Sequence, residues 1–323
     1  MYKETAFHTK PGRPYNSIDH LRCVLIMMVI LIHTVNFGNL YPEVKDCINF
    51  FFMPAFFLIT GYLVNINKLL EESGAFIKYI ARIALPYTIM VLGYSILSLY
   101  LPVRDGITDS SPATLAKVLF VTSIGPYWFL HTMMVCGTLY YTAFRLLMKY
   151  SLGARCILFG SLLLIVALYT PLLSMRSAAF YFAGVSIRLF HGNLTGLIVP
   201  RYGGAIPFLL LALSPDYTKY GDLSVAILSI SFISFVSALC NRLPSMPSEV
   251  VGYIGRNTFP IYLFHPIFTM AAKFMLSLFS FDPTGLLHVS ATILLGIAGS
   301  LLIAKFLDKT ALSYCFGRRY MLR

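Results

Sequence analysis

The sequence predicts an all-α protein, a polytopic membrane bundle of about ten transmembrane helices. Composition is the first observation: 58% of the 323 residues are hydrophobic and only 12% are charged, with a mean hydropathy of +0.75. Soluble domains carry roughly 25% charged residues. A soluble core could not absorb so much apolar surface, so the bilayer is the expected solvent. Long charge-free intervals and an uneven distribution of basic residues are the other two observations.

Intervals without Lys, Arg, Asp or Glu locate the spans, because a hydrocarbon core requires about 20 consecutive apolar residues. These intervals are 23–42, 47–67, 83–103, 118–144, 156–175, 223–241, 257–272 and 283–304. Lys273 can snorkel to the interface and let the short helix 257–272 continue. Two weaker helices, near 177–190 and 199–214, complete the predicted ten. The first span lacks an A-x-A cleavage site, so we expect a retained helix and not a signal peptide.

The basic residues orient the bundle. With both termini in the cytoplasm, 19 of the 25 Lys and Arg residues fall in cytoplasmic segments, as the positive-inside rule expects. This asymmetry explains the net charge of +12 without a nucleic-acid partner, which would require a basic face with interleaved aromatic residues. The predicted organisation is a cytoplasmic tail at 1–16, a transmembrane domain at 17–308 and a basic cytoplasmic tail at 309–323.

The six cysteines suggest no redox or metal chemistry. They contain no C-x-x-C pair and lie mostly in or near spans, at positions 23, 47, 136, 156, 240 and 315. Disulfide frameworks and zinc sites need characteristic spacings, which are absent from the sequence. We therefore expect apolar packing for these residues and no bound metal.

Arg22 and His33 are the strongest functional candidates. Eleven residues of helix make about three turns, so the two side chains share a face, roughly 16 Å apart along the axis. Ionisable groups inside a span indicate a functional site by default. Arg22 could equally be an interfacial anchor paired with Asp19 at i, i+3, and His33 a packed polar residue. A neutral histidine can also accept a proton near pH 7, as a general base acting on a hydroxyl does.

Five segments, in order along nearly the whole chain, resemble acyltransferase family 3, the bacterial integral-membrane O-acyltransferases. Ser17 to Arg22, with an apolar run to His33, resembles the opening helix of that family. The other four segments are Phe51 to Leu63, Phe76 to Pro86 with Arg82, Tyr127-Trp128-Phe129-Leu130, and Gly255-Arg256-Asn257-Thr258 with Tyr262 and His265.

The sequence departs from the family pattern at three positions. Thr60 replaces the usual Ser and keeps a hydroxyl, and Phe52 stands where relatives often have His. The Arg-x-x-Arg motif before the third helix appears as Tyr79-Ile80-Ala81-Arg82, and the adjacent Lys78 could substitute for its first Arg. Lysine cannot reproduce a bidentate guanidinium contact, so the phosphate site is expected to differ in detail.

The resemblance implies a membrane O-acetyltransferase of the bacterial inner membrane. The acyl donor would be cytoplasmic acyl-CoA, normally acetyl-CoA, and the acceptor a hydroxyl of a cell-envelope or exported polysaccharide or of its lipid-linked precursor. Arg22, Lys78 and Arg82 would bind the CoA phosphates. His33 would deprotonate the acceptor hydroxyl, and the predicted catalytic residues are His33 and Arg22. The acyl group would pass directly to the acceptor without an acyl-enzyme.

Further residues are assigned to the acceptor, each with a structural alternative. Trp128 and Tyr127 could contact a sugar or anchor the helix at the interface. His131 and His265 could line the cavity or bond between helices, and Asn257 could bind substrate or cap a helix.

Two other classes of protein remain open on the sequence alone. A small-solute or proton-coupled transporter also uses buried Arg and His residues, although the sequence shows no inverted repeat. A structural or assembly protein would leave the deep His33 unexplained.

Overall fold

The computed structural model describes residues 16–100, 106–214 and 217–323, and within these ranges it contains helices and no strands. The predicted tail 1–16 therefore lies outside the described residues except for Asn16, as does the end of the predicted span 83–103. The helices are α1 Ser17–His33, α2 Val35–Leu40, α3 Pro42–Leu63, α4 Ile66–Glu71, α5 Ala75–Ser98, α6 Pro112–Lys117, α7 Trp128–Leu146, α8 Leu152–Tyr169, α9 Met175–Ser186, α10 Leu194–Leu197, α11 Ala205–Ala212, α12 Asp222–Cys240, α13 Ser245–Arg256, α14 Thr258–Ala272 and α15 Leu286–Lys309.

The all-α membrane bundle is confirmed. Six helical segments in the described ranges are long and apolar enough to cross a membrane, and a bent pair makes up to seven. The six are α3, α5, α8, α12, α14 with its extension to Phe279, and α15. The extension agrees with the expectation that the helix continues past Lys273. The total of ten spans and the side of each terminus stay predictions.

The first predicted span, 23–42, is wrong as a single helix. A capping box starts α1: Asn16 accepts a hydrogen bond from the Asp19 backbone N–H (3.0 Å), and the Asp19 carboxylate accepts one from the Asn16 N–H (3.4 Å). The helix ends at His33 because Thr34 has an extended backbone, with φ −81° and ψ 109°. A separate short helix, α2, follows. His33 is therefore the last residue of α1.

The predicted span 118–144 is also divided. Helix α6 passes into a π-helical turn at Val118–Thr122, and a bend of 46° separates this segment from the next, Gly125–Leu146. Ser123 adopts φ 58°, a left-handed conformation that is uncommon for a residue other than glycine. The break places Trp128 at the start of α7, at the edge of the bundle core.

Helix α1 lies in the interior, packed against α3, α12, α13, α14 and α15. Leu25, Ile26 and Ile30 on this helix are fully buried. Burial divides the remaining long helices into an inner and an outer set: 72% of the apolar window of α3 is buried, but only 17% of that of α8. The exposed apolar side chains of α8 suit a lipid-facing surface. The bundle thus surrounds the helix that carries Arg22 and His33.

Candidate active site

A cavity of about 550 Å³, here called the basic cavity, opens at the end of the bundle where α1 begins. Seven cationic side chains and one carboxylate line it: Arg22, Lys68, Lys78, Arg82, Arg256, Arg318 and Arg323, with Glu72. These cations come from four stretches of the chain that are far apart in sequence. Each stretch is one that the basic-residue distribution predicts to be cytoplasmic. The cavity therefore has the charge of a site for a polyanion.

Arg22 is held in place from two helices. Its guanidinium lies 3.7 Å from the Asp19 carboxylate, as the i, i+3 spacing predicted, and it donates a hydrogen bond to the Thr258 hydroxyl. The same carboxylate lies 3.3 Å from Arg256. Helix α13 can approach α1 this closely because Gly255 has no side chain. A Cβ at this position would collide with the Asp19 carbonyl oxygen. Two guanidinium groups thus share one carboxylate at the rim of the cavity.

Three other cations of the basic cavity lack a carboxylate partner in the part of the chain that the structure describes. Within the ranges that the structure describes, Lys78, Arg82 and Arg318 form no ion pair with a carboxylate. Burial, together with the nearby charges of Arg323 and Arg82, lowers the pKa of Arg318 to about 10. The side chain still carries its charge at neutral pH. Like charges held together without partners favour an anionic ligand that would neutralise them.

A second cavity of about 370 Å³, here called the histidine cavity, contains His33. The Nδ1 of His33 lies 2.7 Å from the backbone oxygen of Val29. A carbonyl oxygen only accepts, so this nitrogen carries the proton in the neutral ring. The lone pair is then on Nε2, which is the nitrogen able to take a proton from a substrate.

His265 stands beside His33, with the two ring centroids 5.3 Å apart in an edge-on arrangement. Its Nδ1 donates to the backbone oxygen of Tyr262 at 2.8 Å. Its Nε2 is buried and has no hydrogen-bond partner among the described residues. The structure thus brings His265, a predicted acceptor-binding residue, to the predicted base.

Tyr262 separates the two cavities, because its side chain lines both. Its hydroxyl donates to the backbone oxygen of Pro126, and its ring lies 5.5 Å from that of Phe129. Arg22 lines the basic cavity and His33 the histidine cavity. A molecule that reached from one to the other would pass this tyrosine.

A third cavity of about 630 Å³, here called the loop cavity, lies among residues 106–109, the π-helical turn and the start of α7. It shares Gly125 and Trp128 with the histidine cavity. Trp128 is 39% exposed, so one part of the indole remains available for contact. The predicted sugar-binding residue therefore lines both the histidine cavity and the loop cavity.

Three predicted acceptor residues line none of these cavities. The Tyr127 hydroxyl donates to the Leu263 backbone oxygen at 3.1 Å, and His131 Nε2 donates to that of Phe120 at 3.2 Å. Asn257 is fully buried, and its side chain makes no helix-cap hydrogen bond. It bonds instead to the backbone of Tyr253 and Arg323. These three side chains connect parts of the bundle to each other.

Four cavity residues had no assigned role in the sequence-based site: Arg256, Arg318, Arg323 and Tyr262. Arg256 and Tyr262 belong to motifs that carry the resemblance, but no role was predicted for either residue. Arg318 and Arg323 were expected only to belong to a basic tail. Their neighbours lie up to about 300 residues away along the chain, so no local spacing could have indicated them.

The bundle thus combines a polycationic cavity with a second cavity in which the half-buried His33 stands beside the buried His265. The sequence matches the acyltransferase family 3 model, an acyltransferase domain, over residues 15–305. The chain therefore belongs to this family and is a membrane acyltransferase. No curated protein and no solved structure matches it. The family assignment gives no support to the transporter or to the purely structural alternative.

Proposed function

We propose that this protein transfers an acyl group, normally acetyl, from cytoplasmic acyl-CoA to a hydroxyl of an envelope or exported polysaccharide or its lipid-linked precursor. The observation that carries the proposal is the arrangement of the two cavities. A polycationic cavity and the cavity that contains His33 share Tyr262 in their linings, and α1 supplies Arg22 to the first and His33 to the second. The expected location is a bacterial inner membrane.

The charge and the lining of the basic cavity favour this donor. Coenzyme A carries several phosphate charges at one end and a thioester on a long, narrow arm at the other. Arg22, Lys78 and Arg82 offer charge-assisted hydrogen bonds to phosphate oxygens. The apolar wall near Tyr262, which includes Phe56 and Phe129, suits the uncharged arm. With the phosphates at the cations, the thioester would point toward the histidine cavity.

The chemical step is a direct transfer. As the acceptor hydroxyl oxygen attacks the thioester carbonyl carbon, Nε2 of His33 takes the hydroxyl proton. The carbon–sulfur bond then breaks, and the leaving thiolate takes the proton back from Nε2 of His33, so an ester, free CoA and the neutral histidine result. Neither Ser nor Cys is among the described residues that line the histidine cavity, and this composition favours direct transfer over an acyl-enzyme.

The acceptor would approach through the loop cavity. Trp128 lies between this cavity and His33, and the flat indole suits the apolar face of a sugar ring. Entry there keeps the glycan and the CoA donor at opposite ends of the bundle. The two substrates would then meet only near Tyr262 and His33.

A gene-deletion experiment tests the proposal. Envelope glycans and lipid-linked saccharides from cells with and without the gene would be compared by mass spectrometry, after complementation with wild type, His33→Gln or His191→Gln. His191 is an exposed histidine outside the three cavities, so it controls for the substitution itself. We expect one O-acyl mass difference to disappear on deletion and to return with wild type and His191→Gln only. Identical glycans in all strains would overturn the proposal.

A further inference from the structure

The segment Leu312–Arg323, here called the C-terminal strap, returns to the bundle and does not hang free. A short 3₁₀ helix, Leu312–Phe316, starts it, and Phe316 is buried with its ring 6.0 Å from that of Phe264. Gly317 then turns with φ 65° close against Ala81 of α5, where a Cβ would meet the Ala81 backbone oxygen at 3.3 Å. The expected basic tail is therefore a packed part of the structure.

Two polar side chains on different helices fasten the end of the strap. The Asp308 carboxylate accepts hydrogen bonds from the backbone N–H groups of Met321 (2.6 Å) and Leu322 (3.0 Å). Asn257 accepts from the Arg323 N–H at 2.8 Å and donates to its carbonyl oxygen at 3.3 Å. Charge-assisted bonds of the first kind are among the stronger contacts in proteins. These hydrogen bonds fix the end of the strap, whose residues Arg318 and Arg323 line the basic cavity.

The fastened strap directs Arg318 into the basic cavity. Its guanidinium donates to the Arg82 backbone oxygen at 3.1 Å, and the guanidinium carbon lies 3.8 Å from the centroid of the Phe259 ring. Its Nε is buried without a hydrogen-bond partner among the described residues. The neighbouring strap residue Arg319 is instead exposed against Tyr320 and lines none of the three cavities.

We propose that the C-terminal strap is part of the donor site, with Arg318 binding a phosphate of the donor and with Asp308 and Asn257 as positioning residues. The inference rests on the proposed acyl-CoA donor and extends it. Arg318 adds a cation from the strap to a cavity that Arg22 and Arg82 line from the bundle, so phosphates would be held between the strap and the bundle. If this is correct, Arg318 should strengthen the binding of a thioester that carries phosphates and should not affect the binding of the same thioester without phosphates.

Binding of coenzyme A to the purified protein in detergent, measured by calorimetry, provides the first test. Pantetheine, which has the same arm without phosphates, is the comparison ligand, and Arg319→Ala is the matched control variant. Arg318→Ala removes a hydrogen bond between charged groups. We therefore expect the Kd for coenzyme A to increase about tenfold or more in this variant. Pantetheine binding should not change in that variant. Arg319→Ala should bind both ligands as wild type does, and Arg318→Lys should recover part of the loss.

A second variant tests whether Asp308 positions the strap. Asp308→Asn leaves one acceptor oxygen for two N–H groups, so the strap should loosen and coenzyme A should bind more weakly. Because the residue acts through Arg318, the double variant Asp308→Asn/Arg318→Ala should bind no more weakly than Arg318→Ala alone. Additive losses would show that Asp308 does not act through Arg318.

The outcomes separate this inference from the proposed function. If wild type binds coenzyme A and Arg318→Ala binds it equally well, the strap has no role in the donor site, and the proposed donor is retained. An equal loss of pantetheine and coenzyme A affinity in Arg318→Ala would also overturn the inference, because a folding defect does not distinguish phosphates. If wild type binds neither ligand, the proposed donor itself is wrong.

Discussion

At the scale of single residues, the end of a helix determines the chemistry of His33. The ring donates from Nδ1 to the Val29 carbonyl one turn back, at 2.7 Å, which fixes the tautomer and leaves Nε2 basic. The same pattern occurs at His265, whose Nδ1 donates to the Tyr262 carbonyl. The two rings stand edge-on with their centroids 5.3 Å apart, so His33 has a second imidazole beside it.

The first prediction concerns His33→Gln. Glutamine keeps much of the shape but has no basic nitrogen, and loss of a general base typically reduces the rate about 10²–10⁴-fold. Acyl transfer in complemented membranes should fall by that amount, whereas the Kd for coenzyme A should stay near the wild-type value, because His33 lines the other cavity. Turnover above about a tenth of wild type in a monodisperse variant would make His33 a packing residue.

The second prediction concerns Arg22. Arg22→Ala should increase the apparent KM for acyl-CoA with a smaller effect on kcat, if its contact is equal in ground and transition states. Arg22→Lys should recover only part of the affinity, because an ammonium group cannot contact Asp19, Thr258 and a phosphate with a planar fork. The matched control is Arg145→Ala, an exposed cation outside the three cavities. Unchanged donor dependence in Arg22→Ala would remove it from the donor site.

The sequence predicts part of this residue-level picture. Arg22, Lys78 and Arg82 line one cavity and His33 the next, in the positions that the resemblance led us to expect, and their roles stay predictions. Arg318 could not be foreseen, because its place depends on a strap that folds back from position 318 onto Arg82. Tyr127 and Asn257 belong to the segments that carry the resemblance, and His131 follows one of them, but their side chains bond within the bundle.

At the scale of helices, the composition of the sequence predicted where the apolar segments lie but not where the helices within them break. Residues 34–41 contain no charge, proline or glycine run that separates them from α1, yet the chain becomes extended at Thr34. The π-helical turn at Val118–Thr122 likewise interrupts a continuously apolar stretch. Both breaks border a cavity. Backbone irregularity inside a membrane is tolerated where it is buried in protein or lines a cavity, so these breaks depend on tertiary contacts that the pattern does not encode.

The third prediction tests the contact between α1 and α13. A Cβ at Gly255 would overlap the Asp19 carbonyl, so Gly255→Ala should push the helices apart and lower the Tm in detergent. Overpacking of this kind typically costs about 1–3 kcal/mol. Gly153→Ala is the matched control, since a Cβ at Gly153 would meet nothing within 4 Å and alanine favours a helix. Equal Tm values for the two variants would show that the contact carries no stability.

At the scale of the whole molecule, the charge distribution and the fold support each other. The basic cavity draws its cations from the start of α1, from residues 68–82, from Arg256 and from the C-terminal strap. The positive-inside rule assigns these four regions to the cytoplasm without any reference to their contacts. Their convergence on one cavity is what a donor site open to cytoplasmic CoA requires. His33 and the loop cavity lie toward the other end of α1.

The last prediction is the topology of the first half of the chain. The predicted spans before Lys149 correspond to α1, α3, α5 and the bent segment from Pro112 to Leu146, so the side of each reporter does not depend on how many helices between 177 and 221 cross the membrane. Reporter fusions after Lys68 and after Lys149 should report the cytoplasm, and a fusion near Asp109 the opposite side. A fusion near Asp109 that reported the cytoplasm, with the other two outside, would place Arg22 and the basic cavity away from CoA. The proposed direction of transfer would then have to be abandoned.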